Sequence, residues 1–356
     1  MVIGLDATQS VDPLPSGVGV YCARLIEALA AAAPESDFVL CYRANRFFRA
    51  LAAPRPAANT KRRLLEEPLV RWLPGRVPLF HGLNQRLPRC RFPCAATTFH
   101  DLFVISGNYS TREFRERFTR LARDAAARSD HIVAVSRHTA SQLETLLGVE
   151  SSRISVIHHG VDAVPAIDRE DLAEFRRRRR IVRPYLLHVG ALQARKNISR
   201  LVEAFEELDP SLALVLAGSN GYGASEIHTR IAASAARSRI HLLGYVSAPT
   251  LSRLYRTATV LAFPSLDEGF GLPVLEAMSA GLPVVTSRRS ALAEVAGEAA
   301  VLIEPTDTAA LADALRRTVE DSALRRDLIQ KGHARAAQFG WQQAASQTLA
   351  LYRRLQ

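Results

Sequence analysis

The chain has 356 residues, nearly half of them hydrophobic and 23% charged. That is room for two folded domains at roughly 150 residues each, and it excludes a disordered or low-complexity protein. The formal charge of +11 favours an anionic partner such as a nucleotide, a phosphorylated lipid, an acidic membrane or nucleic acid, although a general preference for Arg explains most of it: Lys occurs only at Lys61, Lys196 and Lys331.

Cys90 and Cys94 form C-x3-C without a second pair at ligand spacing, so the four cysteines read as reduced thiols rather than a zinc site. MVIGLDATQS has no basic start leading into an apolar stretch, and no run approaches the ~18 apolar residues of a membrane span. The expectation is a cytoplasmic chain.

In chain order, VIGLDAT (2–8) reads as a buried strand, and SGVGVY (16–21) as a glycine turn opening the helical run YCARLIEALAAAAPE. FVLCYRA (38–44) is again strand-like. Segment 43–77, rich in Arg, Pro and bulky apolar residues, reads as irregular or weakly helical. PLFHG (78–82), AATTFHDL (95–102), HIVAVS (131–136) and ISVIHHGVD (154–162) read as strands, with helical spacing over 111–128 and in HTASQLETLL. Periodicity lapses over 168–184, and the Arg176–Arg180 run there reads as a solvated helix or linker rather than a nucleic-acid patch.

The alternation then resumes. YLLHVG (185–190), LALVLAG (212–218), IHLLG (240–244), TVLAFPS (259–265) and LPVVTS (282–287) are strand-length apolar runs, separated by helical patterns at 196–208, 225–238, 248–257 and 273–280. Both halves therefore read as doubly wound α/β domains, residues 1–167 and 168–339, with parallel sheets covered on both faces. Ligands of such sheets sit at the carboxyl ends of the strands, and two domains would set those ends across a cleft. The tail carries Trp341, Ala345, Leu349 and Tyr352 at near-helical spacing, a terminal helix over 340–356 expected to pack back on the first domain.

DEGFGLPVLE (267–276) reads as a ligand site, the alternative being an acidic residue and a tight turn at a helix start. Pro273 marks a helix start, and Gly269 and Gly271 ahead of it leave backbone amides accessible at the positive end of the helix dipole, which suits a phosphate. The carboxylates of Glu268 and Glu276 would repel that phosphate, so they suit vicinal hydroxyls instead. Diphosphate, ribose diol and sugar hydroxyls occur together in a sugar nucleotide; Glu276 would hold the ribose and Glu268 the sugar.

DEGFGLPVLEAMSAGLPVV (267–285) resembles the Glu-x7-Glu signature of glycosyltransferase family 4, retaining enzymes of the GT-B fold. The likeness extends along the chain. SGVGVY (16–21) resembles the family's first glycine loop, and TFHDL (98–102), VAVSRHTASQL (133–143) and VIHHGVD (156–162) resemble successive first-domain segments. LLHVGALQARKNISRLVEAF (186–205) resembles the diphosphate-binding strand, loop and helix, and ALAEVAGEAAVLIEP (291–305) resembles the C-terminal part.

The resemblance implies transfer of a hexosyl group from a nucleotide sugar to an acceptor hydroxyl with retention. The first domain would bind the acceptor and the second the donor. His100, Glu268, Arg195 and Lys196 would form the catalytic group, and Gly17, Gly19, Gly190, Arg195, Lys196, Gly269, Phe270, Gly271, Leu272 and Glu276 would bind the donor. Asp101 is a weaker candidate. No cofactor or metal is implied: the chain has no Asp-x-Asp motif, and His158 and His159, as neighbours on a strand, would face opposite sides. Ala191 follows Gly190 where many members carry Arg, a role that Arg195 would cover.

The VG-x-L-x-x-RKN style resembles bacterial mannosyltransferases of surface-polysaccharide assembly, which implies GDP-mannose as donor. Lipid-linked acceptors are common in the family. Cations interleaved with Phe47, Phe48, Leu64, Leu65 and Trp72 suit an anionic membrane, so peripheral contact at the inner face of the plasma membrane is a further expectation. Two competing readings are a non-catalytic nucleotide-sugar scaffold and a nucleic-acid binder. The first is opposed by the full set of candidate residues, the second by the lack of any recognised module.

Overall fold

The structure, a computed structural model, describes residues 1–66 and 69–356, and only the backbone of Trp72. Glu67, Pro68 and the Trp72 side chain, all within the basic and aromatic stretch 43–77, lie outside the described residues. The chain divides into two compact units, the first comprising residues 1–108, 112–160 and 339–356, the second 109–111 and 161–338.

In the first unit, β1 (Val2–Asp6), β2 (Asp37–Tyr42), β3 (Thr60–Leu64), β4 (Leu79–Gly82), β5 (Cys94–Phe99), β6 (His131–Ala134) and β7 (Ile154–Val156) form one sheet. Its order is β3-β2-β1-β4-β5-β6-β7, all neighbours parallel. Leu5 of β1 lies opposite Leu40 on one side and His81 on the other. A central parallel strand has no solvated face, so VIGLD and DFVLCY run as nearly unbroken apolar strings. Helix ends are marked locally. For Arg137–Leu147, Ser136 Oγ accepts the Thr139 N–H at 3.0 Å, and Gly148 closes the helix in the left-handed region at φ 67°.

In the second unit, β8 (Tyr185–Val189), β9 (Ala213–Ala217), β10 (Ile240–Gly244), β11 (Val260–Phe263), β12 (Val284–Ser287) and β13 (Val301–Ile303) form a parallel sheet in the order β10-β9-β8-β11-β12-β13. Each sheet reverses its strand order once, between β1 and β4 and between β8 and β11. These reversals are the switch points at which doubly wound sheets hold ligands.

The structure departs from the sequence reading in two places. Segment 43–77 contains the helix Ala44–Ala52 and the edge strand β3. TKRRL hides its strand because its burial alternates around cations, as suits an edge. Within this segment Leu65 is buried and Phe47 and Leu64 are half-buried, so among the described side chains of the expected surface hydrophobics Phe48, at 80% exposure, is the one that projects.

The division between units falls at Gly160 and Val161 rather than at 167 and 168. Residues after Gly160 are already strapped to the second unit: Ser279 Oγ accepts the Val164 N–H at 3.1 Å, and Arg256 donates to the Pro165 carbonyl at 3.1 Å and to that of Val164. As one of the two forms expected for the Arg176–Arg180 run, Arg169–Arg178 is a regular solvated helix despite its weak periodicity. None of its residues is buried, so no apolar stripe was needed. The last helix, Trp341–Leu355, belongs to the first unit and buries Trp341, Ala345, Leu349 and Tyr352 together with Ala344, Thr348 and Leu351.

Candidate active site

At the second switch point, β8 and β11 lie side by side, and the loops leaving their carboxyl ends carry most of the candidate residues. After β8 the chain turns at Gly190 (φ 140°), where the carbonyl approaches Gly218 so closely that a Cβ on Gly218 would sit 1.9 Å from it. A 3-10 turn, Ala194–Lys196, follows. Asn197 then takes the left-handed conformation (φ 59°), which Asn tolerates better than most residues. Its side-chain amide donates to the carbonyls of Pro264 (3.1 Å) and Pro305 (2.6 Å), tying the Arg195-Lys196 turn to the loop after β11.

That second loop runs through Glu268, Gly269 and Phe270 to Gly271, the N-cap of helix Leu272–Ser279, with Pro273 in its first turn. Gly271 is at φ 112°, and a Cβ there would meet Leu292 Cδ2 at 2.7 Å, so both conformation and packing require Gly. Glu268 is anchored through its backbone: its N–H donates to Ser290 Oγ (3.1 Å) and its carbonyl accepts from Ala291 N–H (3.2 Å).

The side chains converge on an ion triad. Glu268 Oε1 meets Lys196 Nζ at 2.5 Å, and Oε2 meets Arg195 Nη1 at 2.6 Å. All three residues are more than nine-tenths buried. Arg195 also donates to the Asp267 carbonyl at 2.5 Å, and Lys196 Nζ lies 4.8 Å from the centre of the Phe263 ring. Burial acts to raise the Glu268 pKa, but the adjoining charges and hydrogen bonds of Arg195 and Lys196 outweigh it and hold the carboxyl at about 2.

Glu276, half-buried in the first turns of its helix, accepts a hydrogen bond from Tyr255 Oη on Oε2 at 2.8 Å. Among the described residues Oε1 has no partner. Burial raises its pKa, the Tyr255 hydrogen bond opposes this, and Asp162 adds to it. The triad thus keeps one carboxylate neutralised, while the second offers an acceptor oxygen.

In the first unit, His100 follows β5 and is buried. Its Nε2 lies 2.8 Å from the Leu83 carbonyl, which only an N–H can satisfy, so Nε2 carries the proton. Burial lowers its pKa to about 4 against the effect of that hydrogen bond. The ring is therefore neutral near pH 7, with an Nδ1 lone pair that no described residue occupies. Asp101 follows it, half-buried. Gly17 opens helix Gly17–Ala32 and is exposed; Gly19 is buried, and a Cβ there would press on the Gln9 carbonyl at 3.1 Å. His158 and His159 turn to different partners, Phe339 and Tyr21.

The sites sort accordingly. Arg195, Lys196 and Glu268 form one cluster, with the Lys196 stem against Gly190, and Gly269, Phe270, Gly271, Leu272 and Glu276 continue the same loop and helix. Gly17, Gly19 and His100 belong to the first unit. Three residues escaped the sequence reading. Asn197 was legible, as Asn at the end of a turn before a helix. Ser290 and Tyr255 gave no local signal, because each reaches its partner from a distant loop or helix.

Two doubly wound parallel sheets, each reversing once, form the GT-B architecture of glycosyltransferases. Sucrose-phosphate synthase from Thermosynechococcus elongatus superposes with a TM-score of 0.78 over 100% of this chain and 99% of that one, at 24% identity. Anabaena Alr3699/HepE in complex with UDP and glucose gives 0.77 over 99% of both chains at 18% identity. The family models for Glycosyltransferase Family 4 and Glycosyl transferases group 1 match residues 15–164 and 172–335. The O-antigen chain mannosyltransferase B of Escherichia coli is 30% identical over 284 residues, 78% of this chain and 74% of that protein. The chain belongs to glycosyltransferase family 4.

Proposed function

We propose that the protein is a retaining glycosyltransferase that moves a hexosyl group from a nucleotide sugar, with mannose from GDP-mannose as the best fit, to an acceptor hydroxyl in surface polysaccharide or glycolipid synthesis. The buried Arg195–Lys196–Glu268 triad at the switch point carries this reading. The solved complex of Alr3699/HepE with UDP and glucose and the O-antigen mannosyltransferase relative support the donor class and the choice of mannose.

In this mechanism the donor diphosphate takes the two cations, which offset the charge growing on the leaving group. Glu268, released from them, turns to the sugar hydroxyls. Glu276 accepts the ribose diol on Oε1, and the His100 Nδ1 lone pair accepts from a hydroxyl. The acceptor oxygen attacks the anomeric carbon on the face that the diphosphate leaves, and a phosphate oxygen of the leaving group receives the acceptor's proton. A covalent glycosyl–Glu adduct would overturn this front-face route.

The donor is tested by thermal shift across GDP-mannose, UDP-glucose and UDP-N-acetylglucosamine. Saturating donor at about 100 times its Kd stabilises by about 2.7 kcal/mol. The expected order puts GDP-mannose first, with transfer unchanged by EDTA. Equal, negligible shifts for all three would sink the reading.

Membrane contact is proposed through helix Ala44–Ala52, at the cytoplasmic face. Phe48 and Leu51 are 80% and 50% exposed there among Arg43, Arg46 and Arg49. A groove of about 550 Å³ lined by Arg112, Arg115, Arg120 and Arg123, with Glu116 paired to Arg112 at 2.9 Å, adds net basic surface to the same unit. Among the described residues no helix is long and apolar enough to cross a membrane. The protein should float with vesicles containing phosphatidylglycerol and not with phosphatidylcholine alone, and Phe48→Asp with Leu51→Asp should abolish flotation. Unchanged flotation of that double variant would remove the helix from the contact.

A further inference from the structure

His100 has neighbours that connect it to the far end of the chain. Tyr352, in the last helix, places its hydroxyl 2.6 Å from His81 Nδ1. His81 Nε2 lies 2.9 Å from Thr98 Oγ1, and that hydroxyl lies 3.0 Å from Tyr21 Oη. His81, Thr98 and Tyr352 are fully buried, and Tyr21 nearly so. The Tyr21 ring meets His100 edge-on, with centroids 4.7 Å apart and planes at 80°. The same helix is seated at its other end by Trp341, which lies against Gly160 so closely that a Cβ there would fall 2.5 Å from the indole.

A hydrogen-bonded chain restricts ring orientation more tightly than apolar packing does, because each donor and acceptor has a direction. Among the described residues His100 has one hydrogen bond on its ring, at Nε2, which leaves rotation about that anchor to its ring neighbours. Tyr21 is one of them, and among the described residues its hydroxyl is held only through Thr98, His81 and Tyr352. His81 is kept neutral by burial, its pKa lowered to about 3, so the chain keeps its pattern across the working pH range.

We infer that Tyr352, acting through His81, Thr98 and Tyr21, is a positioning residue for His100: the last helix sets where the Nδ1 lone pair sits. This rests on the proposed role of His100 in transfer.

Tyr352→Phe removes one hydroxyl and keeps the ring; Thr98→Val breaks the chain at a second point should the first variant fold poorly. Thr348→Val is the control, deleting a buried hydroxyl of the same helix that, among the described residues, bonds only the Ala344 carbonyl of its own helix (2.7 Å). In the full chain with GDP-mannose, Tyr352→Phe should lower kcat about tenfold, as a misplaced group does, with the donor KM changed by less than about twofold. The His100 imidazole nitrogen resonances, assigned by comparison with His100→Gln, should move in Tyr352→Phe and stay in Thr348→Val. Wild-type kcat and resonances in both chain-breaking variants would overturn the inference, as would an equal kcat loss in Thr348→Val. If His100→Gln retains full kcat, the role of His100 in transfer fails, while the resonances still decide whether the coupling exists.

Discussion

Glu268→Ala is expected to destabilise the unliganded protein by about 3–5 kcal/mol, and to make GDP more stabilising than it is for the wild type. Removing the carboxylate deletes the one member that the two buried ion pairs share, and breaking a buried ion pair by removing one side is among the costliest single changes. In the proposed mechanism an incoming diphosphate must first separate the cations from Glu268 in the wild type. In the variant that separation is already made, and the nucleotide restores the missing negative charge. Glu268→Gln, which still accepts a hydrogen bond, should fall between the two. Transfer should drop in both variants by about 10²-fold or more, since the proposed grip on the sugar is gone. Urea melts with and without GDP measure all of this. A GDP stabilisation smaller in Glu268→Ala than in the wild type would mean that the diphosphate does not go to these cations.

Much of the second unit was legible because its central strands are buried on both faces. YLLHV, ALVLA and VLAF read as apolar runs bounded by turns, and Pro273 and Gly271 mark the helix start beside them. Which residues share the site was legible as membership and not as geometry. Lys196 and Glu268 are 72 residues apart, and they meet because the strand order reverses between β8 and β11, a property of topology that no local pattern carries. From sequence alone, the acidic and basic side chains suit different parts of a ligand. The structure shows that they satisfy one another. The same limit hid the link between His81 and Tyr352, 271 residues apart, and the Tyr255 bond to Glu276. Strand β3 was missed for a different reason: a charged edge strand has no apolar face to betray it.

Acid should open the first unit before the second, and do so well above the range in which Glu268 titrates. Burial lowers the pKa of His81 to about 3 and of His100 to about 4 in the first unit, with His159 pushed well below its ordinary value as well. The second unit has His188, lowered to about 4. A group whose folded pKa is depressed contributes stability above its unfolded pKa, here about 6.5, and loses it as pH falls toward the folded value. Each such histidine therefore costs about 1.4 kcal/mol per pH unit below 6.5. Between pH 6.5 and 4.5, His81 and His100 alone remove roughly 5 kcal/mol from the first unit, comparable to the whole stability of a marginal domain. The Glu268 contribution is present above about 4.5 and fades only toward pH 2, so acid reaches the histidines first and the triad is better probed by substitution. Trp72 and Trp341, the two tryptophans of the chain, both fall in the first unit, which makes indole fluorescence its reporter. On acid titration the fluorescence transition should precede the loss of far-UV circular dichroism, with a midpoint near pH 5. His81→Gln, which cannot take up the proton, should shift the fluorescence midpoint downward if it folds. Coincident transitions below about pH 3.5 would show that the carboxylates, not the buried imidazoles, govern acid stability.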